Sequence, residues 1–220
     1  RSMIGYIHSP RECVTILGKP LQSYSQNELA RQMAFLPQVP NMPKDMTVEE
    51  LVYCGRYPYQ TWWKNTAKED REIVDYALDI TKTNHLREQL IPSLSGGERQ
   101  RVWIAMALVQ DTDILILDEP TTYLDPAHQL EILNVLKRIN QEHQKTIVMT
   151  IHDINLASRF SDRVIAMKEG KIINEGTPQE VITVTGLADV FAIQAEISYH
   201  SQTQRPLVLS YELMEMELDG

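Results

Sequence analysis

The chain has 220 residues with 43% hydrophobic and 23% charged content, enough to bury one core and too ordinary for a collagenous, mucin-like or disordered polymer. Its formal net charge of −9 argues against a nucleic-acid partner, because affinity for that backbone comes from clustered Lys and Arg. The longest uninterrupted apolar run, residues 102–109, is far short of the roughly 20 residues a spanning helix needs, so a role at a membrane would pass through a partner.

In chain order, Val14–Leu17 reads as a short strand ending in the turn formers Gly18-Lys19-Pro20. Met33–Leu36 is a second apolar stretch, running into Pro37 and Gln38. From Thr47 to about Val109 the pattern is helical. Thr47-Val48-Glu49-Glu50 is a capping box, and Ile73, Val74, Ala77 and Leu78 share one helix face. Strand and helix then alternate, which favours a parallel sheet with helical crossovers. Ile114–Leu117 is apolar on both faces and suits a central strand covered on both sides. Asp125-Pro126 supplies an N-cap and a first-turn proline for a helix whose buried stripe is Ile132, Leu133, Leu136 and Ile139. Thr146–Ile151 reads as another buried strand, Val164–Met167 and Lys171–Ile173 as a hairpin turning at Glu169-Gly170, and Thr177–Glu180 as a capping box. Beyond Ala195 one strand is expected, at Leu207–Leu209. Cys13 and Cys54 have no CxxC spacing and no adjacent His cluster, so they read as structural thiols in a reducing compartment.

Four places carry chemistry. Ser95-Gly96-Gly97-Glu98 is an S-x-x-E capping box whose glycines leave the first N–H groups of a helix uncovered, a phosphate-sized anion site at a positive helix end. The same residues would also make a plain capped helix. Asp118-Glu119 closes the apolar strand, where open α/β sheets place ligands. Asp118 suits Mg²⁺ and Glu119 suits orienting or deprotonating a water, although two acids can simply terminate a strand. His152 follows the next strand and could reach a terminal phosphate, or merely line the core, and Asp153 beside it is a candidate N-cap. Gln38 lies just past an apolar run, within reach of a metal or water, or else is an ordinary loop glutamine.

Taken together in this order, Gln38, Leu94–Glu98, Ile114–Pro120, Leu124-Asp125 and His152 resemble the ABC ATPase family, matching its Q-loop, signature, Walker B, D-loop and H-loop. The resemblance implies an α/β, P-loop NTPase-like ABC ATPase domain with a mostly parallel sheet and an inserted α-helical signature subdomain. It implies one N-terminally incomplete domain over residues 1–220, with the helical subdomain at 44–110. Two subunits would clamp ATP head to tail. Ser95, Gly96, Gly97 and Glu98 would then meet the nucleotide of the partner subunit, with Asp118 and Gln38 serving Mg²⁺. Glu119 would be the catalytic base, His152 would steady the γ-phosphate, and Asp125 would communicate across the dimer. Within the family, Leu21–Ser25, Glu28–Arg31, Thr47–Val52, Gly55–Pro58 and Asp118–Asp125 are similar to importers of iron-siderophore, haem and cobalamin type.

That resemblance further implies transmembrane permease partners, a homodimer or a paralogous ATPase subunit, an indirect substrate-binding protein, and a peripheral place on the cytoplasmic face of the inner membrane. Tyr57, Tyr59, Trp62 and Trp63 are candidates either for docking a permease or for packing within the helical region. One departure stands out. No G-x-x-x-x-G-K-[ST] occurs in the chain; Gly18-Lys19 is followed by Pro20 and has Cys13 five positions upstream of Gly18, where glycine is required. Met3–Ile7 resembles the tail of the helix that follows such a loop. The expectation is a complete form carrying that loop upstream, and the alternative is a non-catalytic paralogue contributing only its signature to a dimer.

Overall fold

A computed structural model of the chain describes residues 14–38, 40, 43–60 and 67–214. They divide into two compact units, Arg1–Thr150 and Ile151–Gly220. Four features named above, namely Met3–Ile7, Cys13, Trp62 and Trp63, lie outside the described residues.

The first unit opens with a hairpin of β1 (Thr15–Ile16) and β2 (Lys19–Pro20). The predicted turn thus folds the chain back on itself through Leu17 and Gly18, both at positive φ (49° and 76°), the backbone a two-residue I′ turn demands. Helix α1 (Gln26–Gln32) starts at a Ser25/Glu28 capping box and leads into β3 (Met33–Leu36).

The intervening chain is helical as expected: α2 (Val48–Cys54) behind the Thr47/Glu50 box, α3 (Ala67–Ile80), and α4 (Gly96–Leu108). Val74, Ala77 and Leu78 are buried on one face of α3, with Ile73 beside them. The long apolar run of the sequence is explained by α4, which buries Val102, Trp103, Ile104, Ala105, Ala107 and Leu108 almost all round its axis. Arg56, itself buried, donates to buried Asp70 at 2.7 Å and to the Val109 carbonyl at 2.8 Å, pinning the ends of these helices together. Tyr59 lies under the Arg56 and Arg31 guanidinium groups at 4.1 and 5.2 Å, so it packs internally, whereas Tyr57 is 76% exposed. Cys54 is exposed at the end of α2 rather than a buried structural thiol.

After α4 come β4 (Ile114–Leu117), α5 (Pro126–His143) and β5 (Thr146–Met149). The three strands form a parallel sheet in the order β3-β4-β5, with Leu36, Leu117 and Met149 in one row. β4 is central as predicted, but only Leu115 and Leu117 are buried, with Ile114 and Ile116 half-buried. β5 is shorter than predicted and is not buried. It has one neighbour among the described residues, and Val148 is 43% exposed. The predicted stripe of α5 holds, with Ile132, Leu133, Leu136 and Ile139 all buried.

The second unit comprises α6 (Ile154–Phe160), the hairpin β6 (Val164–Lys168) and β7 (Lys171–Gly176), α7 (Pro178–Val181), α8 (Val184–Phe191), and a second hairpin of β8 (Ile193–Tyr199) and β9 (Pro206–Leu213). The first hairpin turns at Glu169-Gly170 as predicted, with φ of 51° and 76°. Sequence reading missed β8 and found only the middle of β9. A small core of Ile182, Leu187, Ile193, Ala195 and Val208 holds the unit, and the Asn155 amide pairs with both backbone groups of Val208. No helix among the described residues is long and apolar enough to cross a membrane.

Candidate functional site

The row Leu36–Leu117–Met149 continues past the strand ends. The Asp118 N–H donates to the Leu36 carbonyl at 2.9 Å and the Thr150 N–H to the Leu117 carbonyl at 3.1 Å. Polar residues therefore follow the apolar strands at one level: Gln38 after β3, Asp118 and Glu119 after β4, and Thr150 after β5. The Thr150 hydroxyl donates to Asp118 Oδ1 at 2.9 Å and accepts from the Glu119 N–H at 2.7 Å. One hydroxyl thus positions both acids.

Glu119 is held from several sides. Gln38 Nε2 donates to its Oε2 at 2.6 Å, and the Thr122 hydroxyl donates to the same oxygen at 2.8 Å. Its backbone sits at φ 50°, a left-handed conformation that costs a non-glycine residue of the order of 1 kcal/mol or more and that clusters at functional sites. Buried Pro120 and Thr121 then anchor the descending loop, and Gln129 Nε2 donates to the carbonyls of Thr121 and Leu124.

A second cluster gathers around the start of α4. The Ser95 hydroxyl accepts from the Glu98 N–H at 3.3 Å and donates to the Glu98 carboxylate at 2.7 Å, while the Ser95 N–H donates to it at 2.9 Å. Hydrogen bonds from the Ser95 hydroxyl and backbone hold the Glu98 carboxyl below its ordinary range. Gly96 is exposed, as the anion-site reading required, but Gly97 is buried and covered by the ring of His128. Asp125 caps α5, accepting from the His128 N–H at 3.0 Å, and its Oδ2 lies 2.6 Å from His128 Nδ1. Those two bonds, backbone first, hold its carboxyl below the usual range.

The predicted residues of the first unit thus fall into two groups, Gln38 with Asp118 and Glu119, and Ser95–Glu98 with Asp125. His152 belongs to the second unit, where it is exposed. Asp153 is the N-cap of α6, accepting from the Leu156 N–H at 2.8 Å. Sequence reasoning missed Thr122, His128, Gln129 and Thr150. A hydroxyl at the C-terminal end of a strand neighbouring the acids was the available signal for Thr150.

A parallel sheet with helical crossovers, an acid pair held at a strand end and a glycine-rich capped helix define a P-loop NTPase-like ATPase of ABC type. The ABC transporter family model matches residues 1–122. The iron(3+)-hydroxamate import ATP-binding protein FhuC of Bacillus subtilis is 48% identical over 217 residues, 99% of this chain and 81% of that protein. The petrobactin import ATP-binding protein FpuD of Bacillus anthracis is 47% identical over 191 residues, 87% of this chain and 70% of that one. Among solved structures, an inward-facing metal-chelate type ABC transporter superposes with a TM-score of 0.72 at 25% identity, over 81% of this chain and 72% of that one. A dimeric ABC cassette in a post-hydrolysis state bound to ADP and Pi gives 0.63 at 30% identity, over 74% and 71%. The chain belongs to the ABC transporter family, as an ATP-binding subunit whose ATPase activity is coupled to transport.

Proposed function

We propose that this chain is the ATP-hydrolysing subunit of an importer for iron-siderophore complexes, working as a dimer on the cytoplasmic face of a membrane permease that a substrate-binding protein supplies. The observation that carries the catalytic part is the double restraint of Glu119 by Gln38 and Thr122 beside Asp118. The cargo class rests on similarity to the hydroxamate and petrobactin importers of Bacillus. The domain reading is one ATPase domain over 1–220, with its helical subdomain at 44–110.

The donor set suits Mg²⁺. No group of three or more His, Cys, Asp or Glu able to hold a metal occurs among the described residues, and Mg²⁺ in nucleotide sites takes one or two protein oxygens with phosphates and water completing its shell. Asp118 and Gln38 would supply those oxygens. When bound, the ion neutralises charge developing on the β- and γ-phosphates. Glu119 orients the attacking water and accepts its proton, His152 has the role of steadying a γ-phosphate, and the Ser95–Gly97 turn donates to the γ-phosphate of the nucleotide held by the partner. Such chemistry is mostly positioning, which accounts for the restraints on Glu119.

The test is Glu119→Gln in the complete subunit assembled with its permease. ATP binding is expected to persist while hydrolysis slows by about 10²- to 10⁴-fold, the span of a lost general base; full turnover removes Glu119 from the role. The alternative reading is a partner that offers only its signature to a dimer. ATP bound by a homodimer of the complete subunit, measured calorimetrically, rules that reading out. Uptake of a ferric hydroxamate, rather than haem or cobalamin, by the reconstituted importer checks the cargo.

A further inference from the structure

The cluster around the start of α4 holds a residue that its capping chemistry does not require. His128 occupies the first turn of α5. Asp125 already caps that helix, and Ser95 already caps α4, so the His128 ring is not needed to start either. Yet the ring lies directly on Gly97: a Cβ added there would stand 2.6 Å from His128 Cδ2 and 3.0 Å from Cγ. The ring reaches α4 only because position 97 has no side chain. Its orientation is fixed from the other side. Asp125 is held ionised, a carboxylate can only accept, and so Nδ1 carries the proton and donates across 2.6 Å. One turn further along both helices, Arg101 pairs with Glu131 at 3.0 Å, a second side-chain contact between α4 and α5.

We infer that His128 is a positioning residue of the ATPase reaction, clamping Gly97 to Asp125 so that the Ser95–Glu98 turn and the Asp125 loop move as one body. The inference rests on the proposed role of Ser95–Gly97 toward the partner's nucleotide. Glycines give the start of α4 no lateral anchor of their own, and donors to a transferring phosphoryl group must be held to within about 0.5 Å of productive geometry. The ring supplies that anchor. It also gives any shift of Asp125 at the dimer interface a direct mechanical route to the donors that meet the phosphate.

The test uses the complete subunit assembled with its permease and measures steady-state ATP hydrolysis. His128→Ala is expected to lower kcat by roughly 10- to 100-fold, the scale of an ångström-sized misplacement, with KM for ATP and the melting temperature unchanged. His128→Gln, which keeps a planar N–H donor for Asp125, is expected to recover much of that loss. Gly97→Ala places a methyl where the ring lies, and combining it with His128→Ala is expected to cost less than the product of the two single losses. Parental kcat in His128→Ala, a loss that tracks a fall in melting temperature, or fully multiplicative losses in the double variant each overturn the inference. Ser95→Ala serves as the separate control: normal turnover in that variant refutes the role of the signature turn itself, independently of His128.

Discussion

Thr150→Val is the sharpest probe of the acid pair, because valine keeps the shape of threonine and deletes only the hydroxyl. That group makes two bonds, one to the Asp118 carboxylate and one from the Glu119 N–H. A hydrogen bond to a charged group contributes about 1.5–3 kcal/mol and a neutral one about 0.5–1.5 kcal/mol. Both bonds lie in exposed surroundings, where water replaces part of what is lost, so the net deficit is about 1–2 kcal/mol. Expressed wholly in the transition state, it corresponds to a 5- to 30-fold fall in kcat, as about 1.4 kcal/mol is tenfold. The strained backbone at Glu119 also loses the acceptor of its N–H, so the loop should relax and the Mg²⁺ concentration for half-maximal activity should rise. The assay is phosphate release by the complete subunit with its permease across a Mg²⁺ titration, with Thr150→Ser as the hydroxyl-retaining control. Should the valine variant turn over like the parent while the serine variant does too, Thr150 does not position the acids and the reasoning fails.

Other perturbations follow from the same geometry. Gly55→Ala would drive a Cβ to 2.2 Å from the Met106 carbonyl oxygen and 2.4 Å from Val109 Cγ2; backbone cannot yield cheaply, so a loss of about 1–3 kcal/mol or more is expected in denaturant unfolding. Arg56→Ala removes the side chain that reaches both the buried Asp70 carboxylate and the Val109 carbonyl and is expected to cost about 3–5 kcal/mol, with Arg56→Lys recovering only part because its single nitrogen cannot reproduce the two-nitrogen fork. Glu98 and Asp125 titrate below their ordinary values in the folded state. Their stabilisation is therefore complete above the ordinary carboxylate range of about 4 and is lost as pH falls through the lower folded values. Melting temperature measured against pH should drop below about pH 4, and less steeply in Glu98→Gln.

Local chemistry made much of this molecule readable. The boxes at Thr47 and Ser95 and the Asp125-Pro126 start are decided within four residues, and each forms as the pattern requires. The central place of β4 followed from Ile114–Leu117, which has no polar face. Sequence reading failed where partners are distant. The exposure of β5 depends on how many strands flank it, which Thr146–Met149 does not encode. The hairpin of β8 and β9 has exposed apolar residues such as Leu207, Leu209 and Tyr211, which blur the alternation that marks a strand. At the site, Asp118 and Glu119 could be found by position, but Thr150 and His128 act across 32 and 31 residues respectively, through contacts that only the fold creates. The left-handed turn at Glu119 is likewise invisible to propensity, which disfavours it.

The level at which Asp118 and Thr150 leave their strands is set by main-chain pairing to Leu36 and Leu117. Exposed positions threaded between Gln38 and Leu94 can therefore be exchanged or redecorated without disturbing the acid pair. Such modularity lets lineages retool what the ATPase attaches to while its chemistry stays untouched, and it makes that stretch the natural place to graft a foreign docking element.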